Sequence, residues 1–280
     1  MTSTFTIGGD LEVRRLGFGA MRITGDGIWG DPDDPDAARA LLRRALELGV
    51  NFIDTADSYG PRVSERLIAE ALHPYPEQLV VATKGGATRP GPSQWMLNGT
   101  PEHLKQACEE SLMRLRLDTI DLYQLHAVDP NVPIAESVGA LRDLQEQGKV
   151  RHIGLSNVNA TQLEEARQIV EVVSVQNRYS LSDRGSEDVL TACEQHGIAF
   201  LPYFPLAAGR LTGDANEQIA TIATNHDATP GQIALAWLLQ RSPNMIPIPG
   251  TSSGVHLEEN VAAARLELSA DEMAELNALR

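Results

Sequence analysis

The 280-residue sequence has few features that would tie it to an oxidising compartment or a membrane. It contains two cysteines, Cys108 and Cys193, which form neither a CxxC pair nor a metal-like cluster. The first residues show no basic and apolar leader, and no run approaches the ~18 apolar residues of a membrane span. We therefore expect a cytoplasmic protein with reduced thiols and no membrane partner.

Positive charge is scarce as well. The 23 lysine and arginine residues are outnumbered by 38 aspartate and glutamate residues, which gives a formal net charge of −15. A polyanion would be repelled by this field, so nucleic acid is discounted as a partner. Aromatic residues are only 5% of the chain, but the hydrophobic fraction of 42% is typical of a globular protein. The length suits one α/β barrel of about 250 residues, and a single domain is expected over residues 1–280.

The chain does have a regular alternation of short apolar runs and helical patterns. Gly8 and Gly9 separate two short alternating strands, which predicts an N-terminal β-hairpin. Residues 16–21 (LGFGAM) are typical of the first strand of a series that ends in a turn. Seven more strands are predicted at residues 51–54, 79–84, 119–126, 150–157, 172–177, 198–203 and 244–249.

Helical spacing fills the intervals between these strands. The predicted helices cover residues 37–48, 64–72, 133–147, 186–196, 217–225 and 255–264, and others begin near residues 101, 160, 229 and 269. Thr100 followed by Pro101 predicts a cap with proline at the first helical position, and capping boxes are predicted at Thr229–Gln232 and Ser269–Glu272. Eight strands alternating with helices predict the α/β class and a (β/α)8 TIM barrel, with the N-terminal hairpin and a C-terminal extra helix. A doubly wound open sheet is the alternative, although residues 16–20 (LGFGA) match its glycine fingerprint poorly.

Ionisable side chains stand at the ends of several predicted strands. Asp54 ends the second strand, and Tyr59 follows it by five residues. Lys84 ends the third strand and His126 ends the fourth. Each of these groups alone would more often be a solvated strand end, a turn or a cap. Because the carboxyl ends of barrel strands converge on one face, the four are expected to share a site, whereas Asp57 is interpreted as structural.

With these features in order, the chain resembles the aldo-keto reductase family over nearly its whole length. The matching motifs are GVNFIDTADSYG, VATKGG, SLMRLRLDTIDLYQLH, GKVRHIGLSN, VQNRYS and the EEN of HLEEN. The segments GIWGDP, RPGPSQW and IPGTSS are similar to the bacterial branch that includes pyridoxal reductases. The resemblance implies an NADPH-dependent carbonyl reductase with a catalytic tetrad of Asp54, Tyr59, Lys84 and His126.

These residue types suit the reduction of a carbonyl group. Tyr59, with an ordinary pKa of about 10, would protonate the oxygen if its phenolate is stabilised. Lys84 would favour that phenolate, and Asp54 would hold Lys84 charged and in position. His126 would orient and polarise the carbonyl oxygen. No metal is expected, because no spacing of His, Cys and Asp resembles a zinc site.

The resemblance also implies a cofactor site. Ser156, Asn157 and Gln176 match positions that hold the nicotinamide carboxamide, and Tyr203 matches the aromatic residue that stacks on the ring. Other positions are expected to form the loop over the pyrophosphate, to donate hydroxyl groups at the adenosine end and to contact the adenine. With the remaining expected cofactor-binding residues, they are Ala20, Met21, Phe204, Leu206, Gly209, Arg210, Gly250, Thr251, Ser252, His256, Glu259 and Asn260.

Two positions depart from the family pattern at the adenosine end. Gly250 stands where many members carry lysine, and His256 stands where they carry arginine. Those cations pair with the 2′-phosphate of NADP, and arginine does so bidentately. We therefore expect NADPH to be preferred, but less sharply than in relatives with both cations, so that NADH remains possible.

The expected substrate wall consists of Ile23, Trp29, Trp95 and Val128, in an open pocket for small aldehydes or ketones or for a flat aromatic aldehyde such as pyridoxal. Folding of Trp29 onto apolar surface is an equal alternative. A nicotinamide-binding redox sensor with slow or no turnover is the alternative function. A third is a cofactor-free lyase that uses Lys84 as a Schiff base. A monomer or weak homo-oligomer is expected.

Overall fold

The structure is a computed structural model that describes residues 4–206 and 214–279. Its strands are β1 (Thr4–Ile7), β2 (Leu11–Arg14), β3 (Phe18–Gly19), β4 (Phe52–Asp54), β5 (Val80–Gly85), β6 (Ala87–Thr88), β7 (Met96–Leu97), β8 (Ile120–Leu125), β9 (Val150–Ser156), β10 (Val172–Gln176) and β11 (Ala199–Phe200). Its α-helices are α1 (Pro35–Glu47), α2 (Val63–Leu72), α3 (Pro101–Leu115), α4 (Ile134–Glu146), α5 (Ala160–Arg167), α6 (Glu187–His196), α7 (Asp214–Asn225), α8 (Pro230–Arg241), α9 (Gly254–Ala262) and α10 (Ala270–Ala278).

The main sheet is parallel and curled, with the strand order β11-β10-β9-β8-β5-β4-β3. Residues 244–249 complete the ring where an eighth strand is predicted. On one side, the amide of Ile246 donates to the carbonyl of Phe200 at 2.9 Å. On the other side, the amide of Gly17 donates to the carbonyl of Pro247 at 2.9 Å. Prolines 247 and 249 lack an N–H, so this segment closes the predicted TIM barrel with an incomplete ladder.

The predicted N-terminal hairpin pairs β1 with β2 and closes the amino-terminal end of the barrel. Its side chains Ile7, Leu11 and Val13 pack in the barrel interior with Phe52 and Leu122. Its turn is bound to the start of β9, where Asp10 accepts a hydrogen bond of 2.7 Å from Arg151 and lies 2.6 Å from Nε2 of His152. The hairpin therefore fills the amino-terminal end of the barrel, and the active site is expected at the opposite end, where the strands have their carboxyl ends.

The helices lie close to their predicted positions, and their caps explain where they begin. Thr229 and Gln232 form a capping box at α8, and Ser269 and Glu272 form one at the predicted extra helix α10. The expected side-chain cap at α3 is wrong, because the hydroxyl of Thr100 donates to Oδ1 of Asn98 at 2.8 Å instead. Proline does occupy the first position of that helix, as predicted.

Buried apolar side chains lie on both surfaces of the curled sheet. The interior layer joins the hairpin to residues of the strands, and two outer clusters lie between the strands and the helices. Helix α8 is the most apolar part of the outer layer, with Trp237 fully buried and stacked on Tyr179 at 6.0 Å between ring centroids. Within the two described ranges, no helix has the length and apolar character needed to cross a membrane. The single-domain assignment stays a prediction.

Candidate active site

Three strands and one loop bring the predicted tetrad together at the carboxyl end of the barrel. Asp54 is the last residue of β4, Lys84 lies near the end of β5, and His126 directly follows β8. Strand β4 pairs with β5, and β5 pairs with β8, so these three positions are on adjacent strands. Tyr59 reaches the same place from the loop after β4, with its ring centroid 5.8 Å from that of His126.

A tight turn aims Tyr59 into the site. Gly60 has a φ of +86°, and a Cβ added there would lie 2.5 Å from Cβ of Val63. Only glycine fits this left-handed position without displacing the start of α2. The amide of Ser64 then donates to the carbonyl of Tyr59 at 3.1 Å, which attaches the loop to the first turn of the helix.

Asp54 is the centre of a buried hydrogen-bond network. Its Oδ2 lies 2.7 Å from Nζ of Lys84, and both side chains are nearly inaccessible, at 3% and 0% exposure. Its Oδ1 accepts from the amides of Gln124 at 3.1 Å and Gln176 at 2.7 Å. The ammonium also donates to the carbonyl of Thr55 at 2.8 Å. Such a pair is stable in the interior because every charged atom has a partner.

Lys84 and Tyr59 influence each other's ionisation. Burial raises the pKa of Tyr59 above its usual value, and the nearby ammonium only partly opposes this. Burial acts to lower the pKa of Lys84, but the Asp54 carboxylate outweighs it, so this pKa is raised. Nζ of Lys84 is 3.4 Å from the Tyr59 hydroxyl. Tyr59 is therefore a neutral phenol at pH 7, next to a cation that would stabilise its phenolate.

His126 is uncharged at neutral pH. Burial lowers its pKa to about 3, and the positive charges of Lys84 and Arg89 add to the effect. Its Nδ1 lies 3.3 Å from the hydroxyl of Ser58. Its Nε2 has no hydrogen-bond partner in residues 4–206 or 214–279. One ring nitrogen is thus free for a ligand, and a neutral imidazole can donate from it.

A cavity of about 790 Å³ extends over these residues and is the size of a small-molecule site. Tyr59 and His126 line it together with several predicted cofactor residues. These are Met21, Ser156, Asn157, Gln176, Tyr203, Phe204, Leu206, Gly250, Thr251, Ser252 and His256. The hydroxyl of Tyr203 donates to Oδ1 of Asn157 at 2.7 Å, and Nδ2 of Asn157 donates to the carbonyl of His126 at 2.9 Å. Hydrogen bonds therefore join residues that are predicted to hold the nicotinamide to the predicted tetrad.

A sequence profile of the aldo/keto reductase family matches residues 15–280. The chain belongs to the aldo/keto reductase family. It is 50% identical over 269 residues to an uncharacterized oxidoreductase of Schizosaccharomyces pombe, covering 96% of this chain and 87% of the relative. It is 44% identical over an alignment of 284 residues to the pyridoxine 4-dehydrogenase of Escherichia coli, covering 99% and 98% of the two chains. A solved aldo-keto reductase from Klebsiella pneumoniae, in complex with NADPH, matches at a TM-score of 0.85 and 29% identity, with 100% and 95% coverage.

The enzyme class predicted from the sequence is confirmed: the chain is an NAD(P)H-dependent oxidoreductase of the aldo/keto reductase family. Lys84 contributes from behind the cavity wall, because it is fully buried and is not one of the lining residues. A Schiff-base lyase would need this amine in contact with its substrate. The position of Lys84 therefore argues against that alternative.

Some predicted binding residues of this aldo/keto reductase do not line the cavity. Ile23 is buried in an outer core cluster, and Val128 packs against the other one. Trp29 forms a backbone bridge to Gly60 and is partly buried. Ala20, Glu259 and Asn260 also lie outside the lining, while Gly209 and Arg210 lie outside the described residues. Of the four predicted substrate-wall residues, Trp95 is the one that the structure places in the cavity.

The backbone around Gly250 explains why this position departs from the lysine expected there. A Cβ added there would lie 2.7 Å from the carbonyl oxygen of Gly19, so a lysine cannot fit without a backbone shift. The same Cβ would lie 3.5 Å from Cγ of Arg22, which also lines the cavity. Arg22 has no ion-pair or hydrogen-bond partner in the part of the chain that the structure describes. Nearby hydroxyls and the start of α9 complete a group of donors that fits a phosphate.

Three buried polar residues near the site were not predicted from the sequence. Gln124 carries one of the amides on Asp54, and its position inside β8 gave no signal because its neighbours are apolar. Arg89 lies under the cavity wall and is 8% exposed. Ser58 is next to Nδ1 of His126. Arg89 falls within the RPGPSQW segment, but a single arginine in a loop predicts exposure rather than burial.

Asp57, interpreted as structural from the sequence, lies outside the cavity lining. Its Oδ1 is buried without a hydrogen-bond partner in the described ranges. Burial raises its pKa to about 8, and the negative charge of Glu65 adds to the rise. Elsewhere in those ranges, no group of three or more His, Cys, Asp and Glu side chains is arranged to hold a metal ion.

Proposed function

We propose that this protein is an NADPH-dependent carbonyl reductase that converts an aldehyde or ketone to an alcohol, with Tyr59 as the proton donor. The observation that carries the proposal is the pairing of a neutral Tyr59 hydroxyl and a neutral His126 at one cavity wall, backed by the buried Lys84–Asp54 pair. The proposal is also supported by the cavity, which joins this wall to hydrogen-bonding groups suited to a phosphate and to a carboxamide.

In the proposed mechanism, His126 donates from Nε2 to the carbonyl oxygen, while Ser58 donates to Nδ1 and fixes this tautomer. A bound nicotinamide would supply the hydride to the carbonyl carbon. Tyr59 gives its proton to the oxygen as negative charge develops there. Lys84, 3.4 Å from the phenol oxygen, stabilises the phenolate that remains, and Asp54 keeps Lys84 charged. Bulk water then restores the phenol proton.

We propose that NADPH is preferred and that Arg22 provides the cation that the family pattern places at position 250. Arg22 is the sole lysine or arginine among the described lining residues, and it adjoins the backbone of Gly250. A guanidinium binds a phosphate through two parallel hydrogen bonds, which suits the 2′-phosphate that NADH lacks. His256 lines the same end and would add a second contact.

We propose a flat aldehyde without net charge as the substrate class, with pyridoxal or another small aromatic aldehyde as the leading candidates. The substrate end of the cavity is lined by Ala87, Trp95 and Leu97, and Trp95 and Leu97 are 41% and 39% exposed. Phe204 adds an exposed aromatic ring at the rim. Such a rim offers apolar contact and no counter-ion for a charged substrate. The name of the Escherichia coli relative, a pyridoxine 4-dehydrogenase, agrees with this class.

Substitution of Tyr59→Phe tests the central claim. We expect kcat for aldehyde reduction to fall about 10²–10⁴-fold, the usual contribution of a general acid, with NADPH affinity almost unchanged. NADPH oxidation is followed by absorbance, and binding is measured by calorimetry. Tyr75→Phe is the matched control, because its buried hydroxyl donates to the carbonyl of Leu115 at 2.7 Å away from the cavity. Unchanged turnover in Tyr59→Phe would overturn the proposal, and wild-type binding of NADPH without turnover would favour a redox sensor.

Substitution of Arg22→Ala tests the cofactor claim. We expect the Kd for NADPH to rise about tenfold and the Kd for NADH to stay within about twofold, because one charge-assisted contact is worth about 1.5–3 kcal/mol. Calorimetric titration of each nucleotide gives both values. Arg43→Ala, an exposed arginine outside the cavity, is the control. Equal losses for the two nucleotides would contradict the assignment.

A further inference from the structure

Arg89 is a buried cation without a carboxylate partner. The residue is 8% exposed, and within residues 4–206 and 214–279 it forms no salt bridge. Burial accordingly lowers the pKa of its guanidinium. A charge in this position is costly unless its N–H groups are satisfied, so the residue must be retained by its hydrogen bonds.

Those hydrogen bonds go to backbone carbonyls of three different loops around the site. Nη2 donates to Gly27 at 2.7 Å, and Nη1 donates to Ile28 at 2.9 Å and to Ser58 at 3.4 Å. Nε donates to Gln94 at 2.7 Å. Main-chain oxygens thus accept from four of the five N–H groups of the guanidinium. This one side chain holds the loop after β3, the loop that carries Tyr59 and the loop after β6.

One of these loops needs the anchor. Ile28 has a φ of +58°, a left-handed conformation that a β-branched residue rarely adopts. The carbonyl of this residue accepts from Arg89, and it also accepts from the amide of Gly60 at 3.3 Å. Hydrogen bonds on both sides therefore hold a strained turn next to the loop that carries Tyr59.

The guanidinium also forms the base of the substrate wall. Its central carbon lies 4.0 Å from the ring centroid of Trp95, a cation–π contact. The same indole meets the ring of His126 at 5.8 Å and that of Tyr59 at 6.4 Å, both edge to face. Trp95 is 41% exposed, and Arg89 is the charged side chain that covers a face of its ring. Its orientation over the reacting groups depends on Arg89.

We propose that Arg89 is a positioning residue that fixes Trp95 as the wall for aromatic substrates and does not bind substrate anions itself. The proposal rests on the proposed carbonyl reductase function, since Trp95 faces the groups assigned to the reduction. Because four of its five N–H groups donate to carbonyls, its face is covered by the indole and it does not line the cavity, Arg89 contributes through geometry. Without the guanidinium, the backbone of Trp95 stays where it is, but its indole ring can rotate.

A double-mutant cycle with Arg89→Met, Trp95→Ala and the combined variant tests this inference. We expect Arg89→Met to lower kcat/KM for benzaldehyde about tenfold, mostly through KM, and to change that for propanal less than about threefold. In the Trp95→Ala background, the same substitution should leave the ratio of the benzaldehyde value to the propanal value within about twofold, since any effect through the loops is common to both aldehydes and the preference for the aromatic one acts through the missing ring. Arg89→Lys keeps the charge without the fork and should give an intermediate loss.

Arg184→Met is the matched control for general destabilisation. Arg184 donates to two backbone carbonyls at 2.7 and 2.8 Å and lies 4.9 Å from the ring of Trp237, away from the cavity. It should leave the ratio of aromatic to aliphatic kcat/KM unchanged. An equal shift of that ratio by Arg184→Met would overturn the proposal, as would a shift of that ratio by Arg89→Met that persists in the Trp95→Ala background. If Arg89→Met fails to fold, Arg89→Lys completes the cycle.

A second readout separates this proposal from the proposed function. The fluorescence of Trp95 is obtained by subtracting the spectrum of Trp95→Ala, and its quenching by acrylamide reports how firmly the ring is held. We expect quenching to increase in Arg89→Met even if no aldehyde is reduced. Unchanged quenching in Arg89→Met would refute the positioning role. Increased quenching in a protein that reduces no aldehyde would refute only the reductase assignment.

Discussion

Removing one partner of the buried Lys84–Asp54 pair should affect stability unequally, depending on which partner is removed. In Asp54→Asn the ammonium of Lys84 loses its counter-charge and is left with neutral acceptors, among them the carbonyl of Thr55 at 2.8 Å and the Tyr59 hydroxyl at 3.4 Å. In Lys84→Met the carboxylate of Asp54 keeps two amide donors, at 2.7 and 3.1 Å. The ammonium in Asp54→Asn is therefore less well stabilised than the carboxylate in Lys84→Met.

The expected magnitudes follow from burial. Breaking a buried ion pair by removing one partner costs about 3–5 kcal/mol, and we expect Asp54→Asn to fall in that range, since Lys84 is 0% exposed. Lys84→Met should cost about 1–3 kcal/mol, the value of hydrogen bonds lost at a charged group. The double variant should recover to within about 2 kcal/mol of the wild type, because no unpaired charge remains.

Urea denaturation at pH 7 measures these free energies of unfolding. Asp143→Asn is a matched control, because Asp143 pairs with Lys105 at the same 2.7 Å, but with side chains that are 40% and 39% exposed. It should cost less than about 1 kcal/mol. A loss in Asp54→Asn no larger than in the control would refute the reasoning, and so would a larger loss in Lys84→Met than in Asp54→Asn.

Three further predictions concern pH and packing. The folded-state pKa of Asp57, raised to about 8 from 3.8, means that the folded protein retains a proton that the unfolded chain releases, so stability falls as pH rises from about 4 to 8. Asp57→Asn should therefore raise the thermal midpoint at pH 8 and not at pH 4, and calorimetry with equal pH slopes for both proteins would contradict this. The pKa of His126, about 3, should leave kcat/KM without a histidine ionisation between pH 5 and 8, which a pH profile checks; a limb near pH 6 that disappears in His126→Gln would count against it. Gly250→Ala should cost about 1–3 kcal/mol through its clash with backbone, measured by denaturation, whereas Gly139→Ala, with open space around its Cβ in a helix, should stabilise.

Sequence reasoning predicted the parts of this structure that follow from local pattern. The regular alternation of strands and helices predicted the barrel. The positions of Asp54, Lys84 and His126 at strand ends predicted that they belong to one site. These work because parallel strands converge at one end whatever the loops do. The caps of α8 and α10 were predicted for a similar reason, since both partners of a capping box lie within four residues.

Contacts between distant loops were beyond sequence reasoning. Arg89 binds carbonyls of residues 27, 28 and 58, and nothing local in its own segment specifies those partners. The four substrate-wall residues were chosen by loop position, and three of them are not among the residues that line the cavity, because position in the chain does not specify which side chains of a loop reach it. The hydrogen bond from Gln176 to Asp54 was also unexpected, since β10 and β4 are far apart in the chain.

The junction of residues 17–19 with residues 247–250 joins the start of the barrel to its end. Gly19 and Gly250 approach so closely there that a methyl group would separate them, and the end of the cavity that we assign to the adenosine lies across this junction. The chain must therefore be almost completely folded before that end of the cavity exists. Any nucleotide that binds across the junction selects the closed barrel over partly folded forms. It raises the free energy of unfolding by RT ln(1 + [L]/Kd), so the concentration of nucleotide in the cell would also set the fraction of the protein that is folded.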